Sequence, residues 1–249
     1  METQFKVVQG TPENSVLKNK EFNEYKFRCS GFGNLMTDPR SKSETLAETT
    51  KTYLLEQWIR SKYGREKDIT NKYMEKGLFC EEDSLDLVSK VVYQRPVFKN
   101  KARYENEFIT GTPDLITGEH VLDIKTSWDI FTFFNAEVSK AYYWQLQGYM
   151  ALTGKRTAVL CYCLVNAPEH LIEDEKRRLA WKMGLIDPES NAKYLEKAKQ
   201  IEKNMTFTDI PESERVIRFK IDYNEADITK LYARIEQCRE YMNDLNFKN

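Results

Sequence analysis

The chain has 249 residues, enough for one large domain, and its 41% hydrophobic and 12% aromatic content can bury a core, which excludes a disordered chain. Lys and Arg total 38 against 39 Asp and Glu, so the net charge of −1 gives no sign of a polyanionic partner; any positive potential has to be local. No run approaches the ~18 apolar residues of a membrane span, the first ten residues lack a secretory layout, and five cysteines without CxxC spacing read as reduced thiols, not as a disulfide framework or zinc ribbon.

Residues 1–27 read as irregular with a strand near Phe5–Val8, after which RCSGFGNLM (28–36) leads to a turn at Pro39. A helix is expected from Ser43 to about Tyr63, stopped by Gly64, with Leu46, Leu54, Trp58 and Ile59 as its buried stripe. Thr70 is the expected N-cap of a second helix reaching about Lys90. VVYQRPVF (91–98), RYENEFITGTPDLI (103–116) and VLDIKTSW (121–128) are strand-like and separated by short polar turns. NAEVSKAYYWQLQGYMALT (135–153) reads as a helix closed by Gly154, and RTAVLCYCLV (156–165) as a buried strand in which Cys161 and Cys163 are core. Residues 70–165 therefore run α-β-β-β-α-β. Two charged helices (about 169–182 and 190–203), a strand (RVIRFKID, 215–222) and a helix from Glu225 to about Leu245 complete the chain. Without a repeat, a low-complexity tract or a Gly/Ser linker, the economical reading is one domain over 1–249. Its core spans about 28–165, with a helical C-terminal elaboration over about 166–249.

The informative segment is GTPDLITGEHVLDIKTS (111–127). With Thr117–His120 as a hairpin loop, Asp114 lies opposite Asp123, their Cβ atoms about 4.5–5.5 Å apart. Thr112, Ile116, Val121 and Lys125 share that face, because strand side chains alternate; Pro113, Leu115, Leu122 and Ile124 form a core face. Like charges directly opposite destabilise a hairpin unless a cation or a shared proton neutralises them. Mg²⁺ prefers hard oxygen ligands and keeps several waters, so two carboxylates and a backbone carbonyl suit it. Lys125 would then orient or deprotonate an attacking water, or steady a pentavalent phosphate. A surface hairpin with ordinary solvated charges would show the same D-x₈-D-x-K pattern, and the pattern alone leaves both readings open.

A third acid adds context. In TNKYMEKGLFCEEDSLDLVSKVV (70–92), Met74, Leu78, Leu85, Val88 and Val92 define a stripe, and Glu81 falls about 25° from its centre at 100° per residue. Glu82 lies at the edge and Asp83 points away. A carboxylate within an apolar stripe is costly unless paired or metal-bound; a rim position that reaches solvent is the other reading. Gly77, one turn earlier, leaves room for a substrate or a neighbouring backbone. Gln145 and Tyr149, four apart, share a helix face where an amide and a phenol can hold a phosphate or a water, although such pairs also serve core satisfaction.

Gly77-x₃-Glu81, Gly111-Thr-Pro-Asp114, Asp123-Ile-Lys125 and Gln145-x₃-Tyr149, in this order, resemble the PD-(D/E)xK nucleases, and more closely the lambda exonuclease and YqaJ-type viral recombinase branch, adjacent to the RecB nuclease domain. The resemblance covers about residues 28–165 and, more loosely, the final strand and helix. It implies an α/β restriction-endonuclease-like αβββαβ core with a central mixed sheet flanked by helices. It also implies a Mg²⁺-dependent exonuclease (Mn²⁺ able to substitute) acting on double-stranded DNA ends, 5′→3′, in phage-type recombination or DNA processing.

Carried over, Asp114 and Asp123 are metal ligands with the Ile124 carbonyl, and Lys125 is the catalytic lysine. Glu81 is the helix acid that holds a metal-bound water, and Gln145 an active-site helper. Arg28, Ser30 and Thr112 bind the DNA 5′-phosphate, though the family's arginine lies further before its serine. Glu105 or Glu107 substitutes for a further pre-hairpin aspartate, and the cysteines cannot build an iron–sulfur cluster. The resemblance also implies a ring-shaped homotrimer, a single-strand annealing protein as partner, and the cytoplasm of a bacterium or phage-infected host. The rival readings are a RecB-like endonuclease or flap nuclease, and a catalytically inactive DNA-end-binding module.

Overall fold

A computed structural model describes residues 21–68 and 70–245; the strand expected at Phe5–Val8 lies outside them. In chain order the elements are β1 (Phe27–Arg28), α1 (Phe32–Leu35), α2 (Glu48–Tyr63), α3 (Lys72–Phe79), α4 (Glu81–Val88), β2 (Tyr104–Glu105), β3 (Ile109–Gly111), β4 (Leu115–Ile116) and β5 (His120–Thr126). They continue with α5 (Ile130–Phe134), α6 (Lys140–Thr153), β6 (Thr157–Cys163), α7 (Glu169–Lys182), α8 (Ala192–Met205), β7 (Val216–Asp222) and α9 (Glu225–Asp244). The main sheet has the order β4-β5-β6-β7 and is mixed: β5 and β6 are parallel, while β4 and β7 run antiparallel to their neighbours. A small sheet, β1-β3-β2, stands beside it. The expected α/β architecture of a mixed sheet flanked by helices is what the chain adopts.

Strands β5 and β6 are packed on both faces, and β6 is accordingly apolar almost throughout, while β5 mixes apolar residues with Asp123 and Lys125. Val121, Ala158 and Leu160 pack with Leu146 and Met150 of α6 on one side. Leu122, Cys161 and Cys163 pack with Leu87 and Val88 of α4 on the other. Period-2 alternation thus sends Asp123 toward α6, and the parallel register sets it level with Leu160 and Lys125 level with Tyr162. The five cysteines are free thiols and all are buried. Residues beyond 165 divide: β7 completes the sheet and α9 buries Ile228, Leu231 and Ile235 in the core, whereas α7 and α8 pack on each other as an appendage.

Several expected boundaries move. The second named helix begins at Glu48, not Ser43; Leu46 is buried but precedes it, and Gly64 closes it at φ 61°. Asn71, not Thr70, caps α3, its side chain accepting from Tyr73 and Met74 N–H at 3.0 Å. The single helix expected to reach Lys90 breaks at Cys80, whose φ/ψ of −98°/14° is non-helical, and ends in a π-type turn over Ser89–Tyr93. Residues 91–98 consequently form no strand, and Gln94 adopts a left-handed φ of 51°. The helix read from residue 135 starts at Lys140, behind the short α5.

The expected stripe holds only beyond Cys80, where Val88 is buried and Leu85 and Val92 pack against its cluster. Met74 and Leu78 are exposed at 58% and 73%, while Lys76 is buried. The Lys76 ammonium donates to the carbonyls of Ser127 and Trp128 at 2.8 and 2.9 Å, tying α3 to the end of β5. Burial draws its pKa down to about 8.

Candidate active site

The hairpin register is the one in which paired residue numbers sum to 237: Leu115 opposes Leu122 and Ile116 opposes Val121. Thr117 closes the turn, its N–H donating to the His120 carbonyl at 2.9 Å. The ladder stops at Leu115, so Asp114 sits one residue beyond it. Its Oδ2 accepts from the Ile124 N–H at 2.7 Å, taking a bond that a backbone carbonyl would otherwise make. This contact draws the Asp114 carboxylate to the Asp123–Lys125 stretch of β5.

Asp123 is 3% exposed. Its Oδ1 accepts from the Gln145 amide at 2.9 Å. Its Oδ2 forms an ion pair with the Lys125 ammonium at 2.8 Å. Burial and the Asp123 charge push Asp114 up to about 7. Burial also pushes Asp123 up, against the pull of Lys125. Burial alone would lower Lys125, but Asp123 more than offsets it, so the ammonium stays charged. Lys125 also lies over the Tyr142 ring, 4.7 Å from its centroid.

Helix α6 supplies the floor. Gln145 donates to the Tyr149 hydroxyl at 2.9 Å as well as to Asp123. Gly111 permits this approach: a Cβ there would stand 2.7 Å from Tyr149 Cε1 and 2.9 Å from Cys29 Sγ. Tyr142 lies on the same face as Gln145, three residues earlier, and the periodicity that singled out Gln145 and Tyr149 extends to it.

Above these groups opens a cleft of about 1820 Å³, to which Asp114, Ile124, Lys125, Tyr142 and Glu81 contribute. Glu81 opens α4 on the face that carries Ser84, and the Ser84 hydroxyl meets Thr126 Oγ1 at 2.8 Å, seating that turn on β5. The Glu81 side chain is 43% exposed and ion-paired with Lys99, while its charge still reaches Asp114. Met74, Leu78 and Gly77 line the same cleft, and nothing lies within 4 Å of a Cβ built on Gly77.

The structure thus brings together Asp114, Asp123, Ile124, Lys125 and Gln145, with Glu81 on the cleft wall. Arg28, Ser30 and Thr112 are exposed around the β1–β3 pairing, where Arg28 opposes Thr110, and do not line the cleft. Glu105 pairs with Lys26 at 2.7 Å on the small sheet. Among the described residues no three His, Cys, Asp or Glu side chains form a ready-made metal cage. Among them, too, no helix is long and apolar enough to cross a membrane. Asn100, which bonds to Pro113 and Asp114, was not legible in the sequence, where it sits in an irregular stretch.

No family model and no curated protein matches the chain. Among solved structures, a phage-related exonuclease from Haemophilus somnus 129PT is similar at 26% identity and a TM-score of 0.70, over 90% of this chain and 96% of that one. The alkaline exonuclease LHK-Exo from Laribacter hongkongensis shares the fold at 14% identity and a TM-score of 0.57, over 87% of each chain. Its complex with dAMP gives the same identity and TM-score over 90% of this chain and 91% of that one. In fold the chain is similar to these exonucleases, and its motif order resembles that of the lambda exonuclease and YqaJ-type branch of the PD-(D/E)xK nucleases.

Proposed function

We propose that this chain is a divalent-metal-dependent DNA exonuclease that hydrolyses phosphodiester bonds of double-stranded DNA from its ends in the 5′→3′ direction. The observation that carries the reading is the pair of buried Asp123 and half-buried Asp114, with Lys125 held against Asp123 at 2.8 Å at the base of an open cleft. The likeness to exonucleases of known structure supports the same class.

The donor set fits a hard cation. Asp123 Oδ2 is a buried carboxylate oxygen with Lys125 beside it, and burial with mutual repulsion raises Asp114, so both acids gain from a further positive charge between them. Asp114, Asp123 and the Ile124 carbonyl would hold Mg²⁺ or Mn²⁺, which when bound supplies Lewis-acid polarisation of the scissile phosphate. Lys125 stays charged and offers its ammonium to the phosphate oxygens as charge accumulates on them. Gln145 keeps Asp123 oriented from below, and Glu81 orients the attacking water from the cleft wall. Water attacks phosphorus and releases a proton to solvent, the P–O bond to the departing nucleotide breaks, and the leaving oxygen takes up a proton from solvent.

Arg28, Ser30 and Thr112 as the 5′-phosphate site, a ring-shaped homotrimer around the duplex, and a single-strand annealing partner belong to the same proposal. The position of those three residues outside the cleft lining favours one second reading, a RecB-like endonuclease that needs no free end. Digestion of 5′-phosphorylated linear, 5′-hydroxyl linear and closed circular duplexes, with Mg²⁺ or EDTA, separates the two. Light scattering on the same sample gives the oligomer mass. The proposal expects EDTA-sensitive loss of linear duplex and intact circles.

A further inference from the structure

Because β4 is two residues long and its ladder ends at Leu115↔Leu122, sheet pairing does not set the place of Asp114. Its main-chain carbonyl instead accepts from the Asn100 N–H at 2.7 Å. The Asn100 side chain extends this clasp: Nδ2 donates to the Pro113 carbonyl at 3.0 Å and to the Ala102 carbonyl at 3.0 Å, and Oδ1 accepts from the Ala102 N–H at 3.1 Å. The Pro113 carbonyl belongs to the peptide plane before the Asp114 Cα, and the Asp114 carbonyl to the plane after it. One residue therefore pins both planes that flank the acid, which fixes its φ and ψ and the direction of its Cβ.

The segment that carries Asn100 has no regular secondary structure, and side-chain bonds define its path. Upstream, the Ser89 hydroxyl accepts from the Val97 N–H at 3.3 Å. Next to Asn100, Lys99 pairs with Glu81. The same stretch thus reaches Glu81 on α4 and Asp114 at the end of β4.

We infer that Asn100 is a positioning residue for the Asp114 carboxylate, acting through the Pro113 and Asp114 main chain and not by touching cation or DNA. The inference rests on the reading of Asp114 as a cation ligand. With the Asn100 clasp loosened, the Ile124 N–H at 2.7 Å is left to hold the Asp114 carboxylate against repulsion from Asp123, and misplacement of about 1 Å costs such a site heavily.

The test follows thermal unfolding against Mg²⁺ concentration for wild type, Asn100→Ala, Asn100→Ser and Asn191→Ala, with kcat and KM on a linear duplex. Asn191 caps α8 by accepting from the Tyr194 N–H at 3.0 Å, so its variant loses a local side-chain bond in the appendage. Both Asn100 variants are expected to need about tenfold more Mg²⁺ for half-maximal stabilisation, in line with other outer-shell partners of metal ligands. Their kcat falls while KM stays near the wild-type value; Asn191→Ala lowers Tm and keeps the wild-type Mg²⁺ midpoint. If one Asn100 variant fails to fold, the other carries the comparison. Wild-type Mg²⁺ midpoints in the Asn100 variants overturn the inference alone, as does an equal shift in Asn191→Ala. A wild type without any Mg²⁺ response removes the reading of the site and this inference with it.

Discussion

Gln145 donates from one amide nitrogen to both Asp123 Oδ1 and the Tyr149 hydroxyl, each at 2.9 Å. The amide has two hydrogens, so both bonds form together, and they fix the orientation of a carboxylate buried under the cleft. Replacing Gln145 by Leu leaves Asp123 Oδ1 buried and unpaired. The expected cost is about 1–3 kcal/mol of stability, with cleavage slowed about 10–100-fold. Urea unfolding and a linear-duplex assay check both; wild-type cleavage by this variant would remove Gln145 from the site.

Glu81 and Glu82 are adjacent acids with different partners. Glu81 lies on the Ser84 face of α4, pairs with Lys99 and acts electrostatically on Asp114. Glu82 is exposed. Glu81→Gln is expected to lower kcat by about 10²-fold, the scale of a group that orients the attacking water, and Glu82→Gln to leave it within a few-fold. A variant pair in which Glu82 is the sensitive position would reverse the assignment.

The raised acid gives a pH signature in metal-free buffer. Burial and Asp123 move Asp114 from 3.8 to about 7, so between these values the folded state holds a proton that the unfolded chain has released. Its contribution to stability is therefore full below 3.8 and is lost as pH rises through about 7. Calorimetry in EDTA should show Tm falling over this window, with a shallower fall for Asp114→Asn. Saturating Mg²⁺ should flatten the wild-type curve, because bound cation favours the ionised pair. Identical slopes for wild type and Asp114→Asn would contradict the shift.

Gly111 tests how closely β3 and α6 must approach. A methyl group there meets Tyr149 Cε1 at 2.7 Å, whereas nothing lies within 4 Å of a Cβ on Gly118. Gly111→Ala is expected to cost about 1–3 kcal/mol by overpacking and to slow cleavage by displacing the Tyr149–Gln145 pair. Gly118→Ala is expected to do neither. Equal behaviour of the two variants would show that Tyr149 has room to spare.

What was legible in the sequence follows from which forces are local. The β4–β5 register was readable because apolar residues fill Leu115, Leu122 and Ile116, Val121, and a one-residue slip would invert every face. That register pointed to Asp114 beside Asp123 and Lys125, although the ladder itself stops at Leu115 and contacts from Ile124 and Asn100 hold the acid; helical spacing put Gln145 beside Tyr149. The stripe held on α4, where Val88 is buried, and failed on α3 because it took apolar for buried. Met74 and Leu78 face a cleft, while Lys76 is buried by two carbonyls that are 51 and 52 residues away in sequence. No periodicity reports such a contact. Asn100 escaped for the same reason, since its partners lie across a loop and are mostly main chain.

Asp123→Asn in a linear-duplex assay asks whether Asp123 is part of the catalytic centre. Asn keeps the volume and an oxygen for Gln145, and it removes both the repulsion with Asp114 and the buried negative charge. Cleavage is expected to be abolished, Tm without metal to equal or exceed the wild-type value, and Mg²⁺ to raise Tm of the wild type but hardly that of the variant. Retained nuclease activity in the purified, folded variant would remove Asp123 from the catalytic centre.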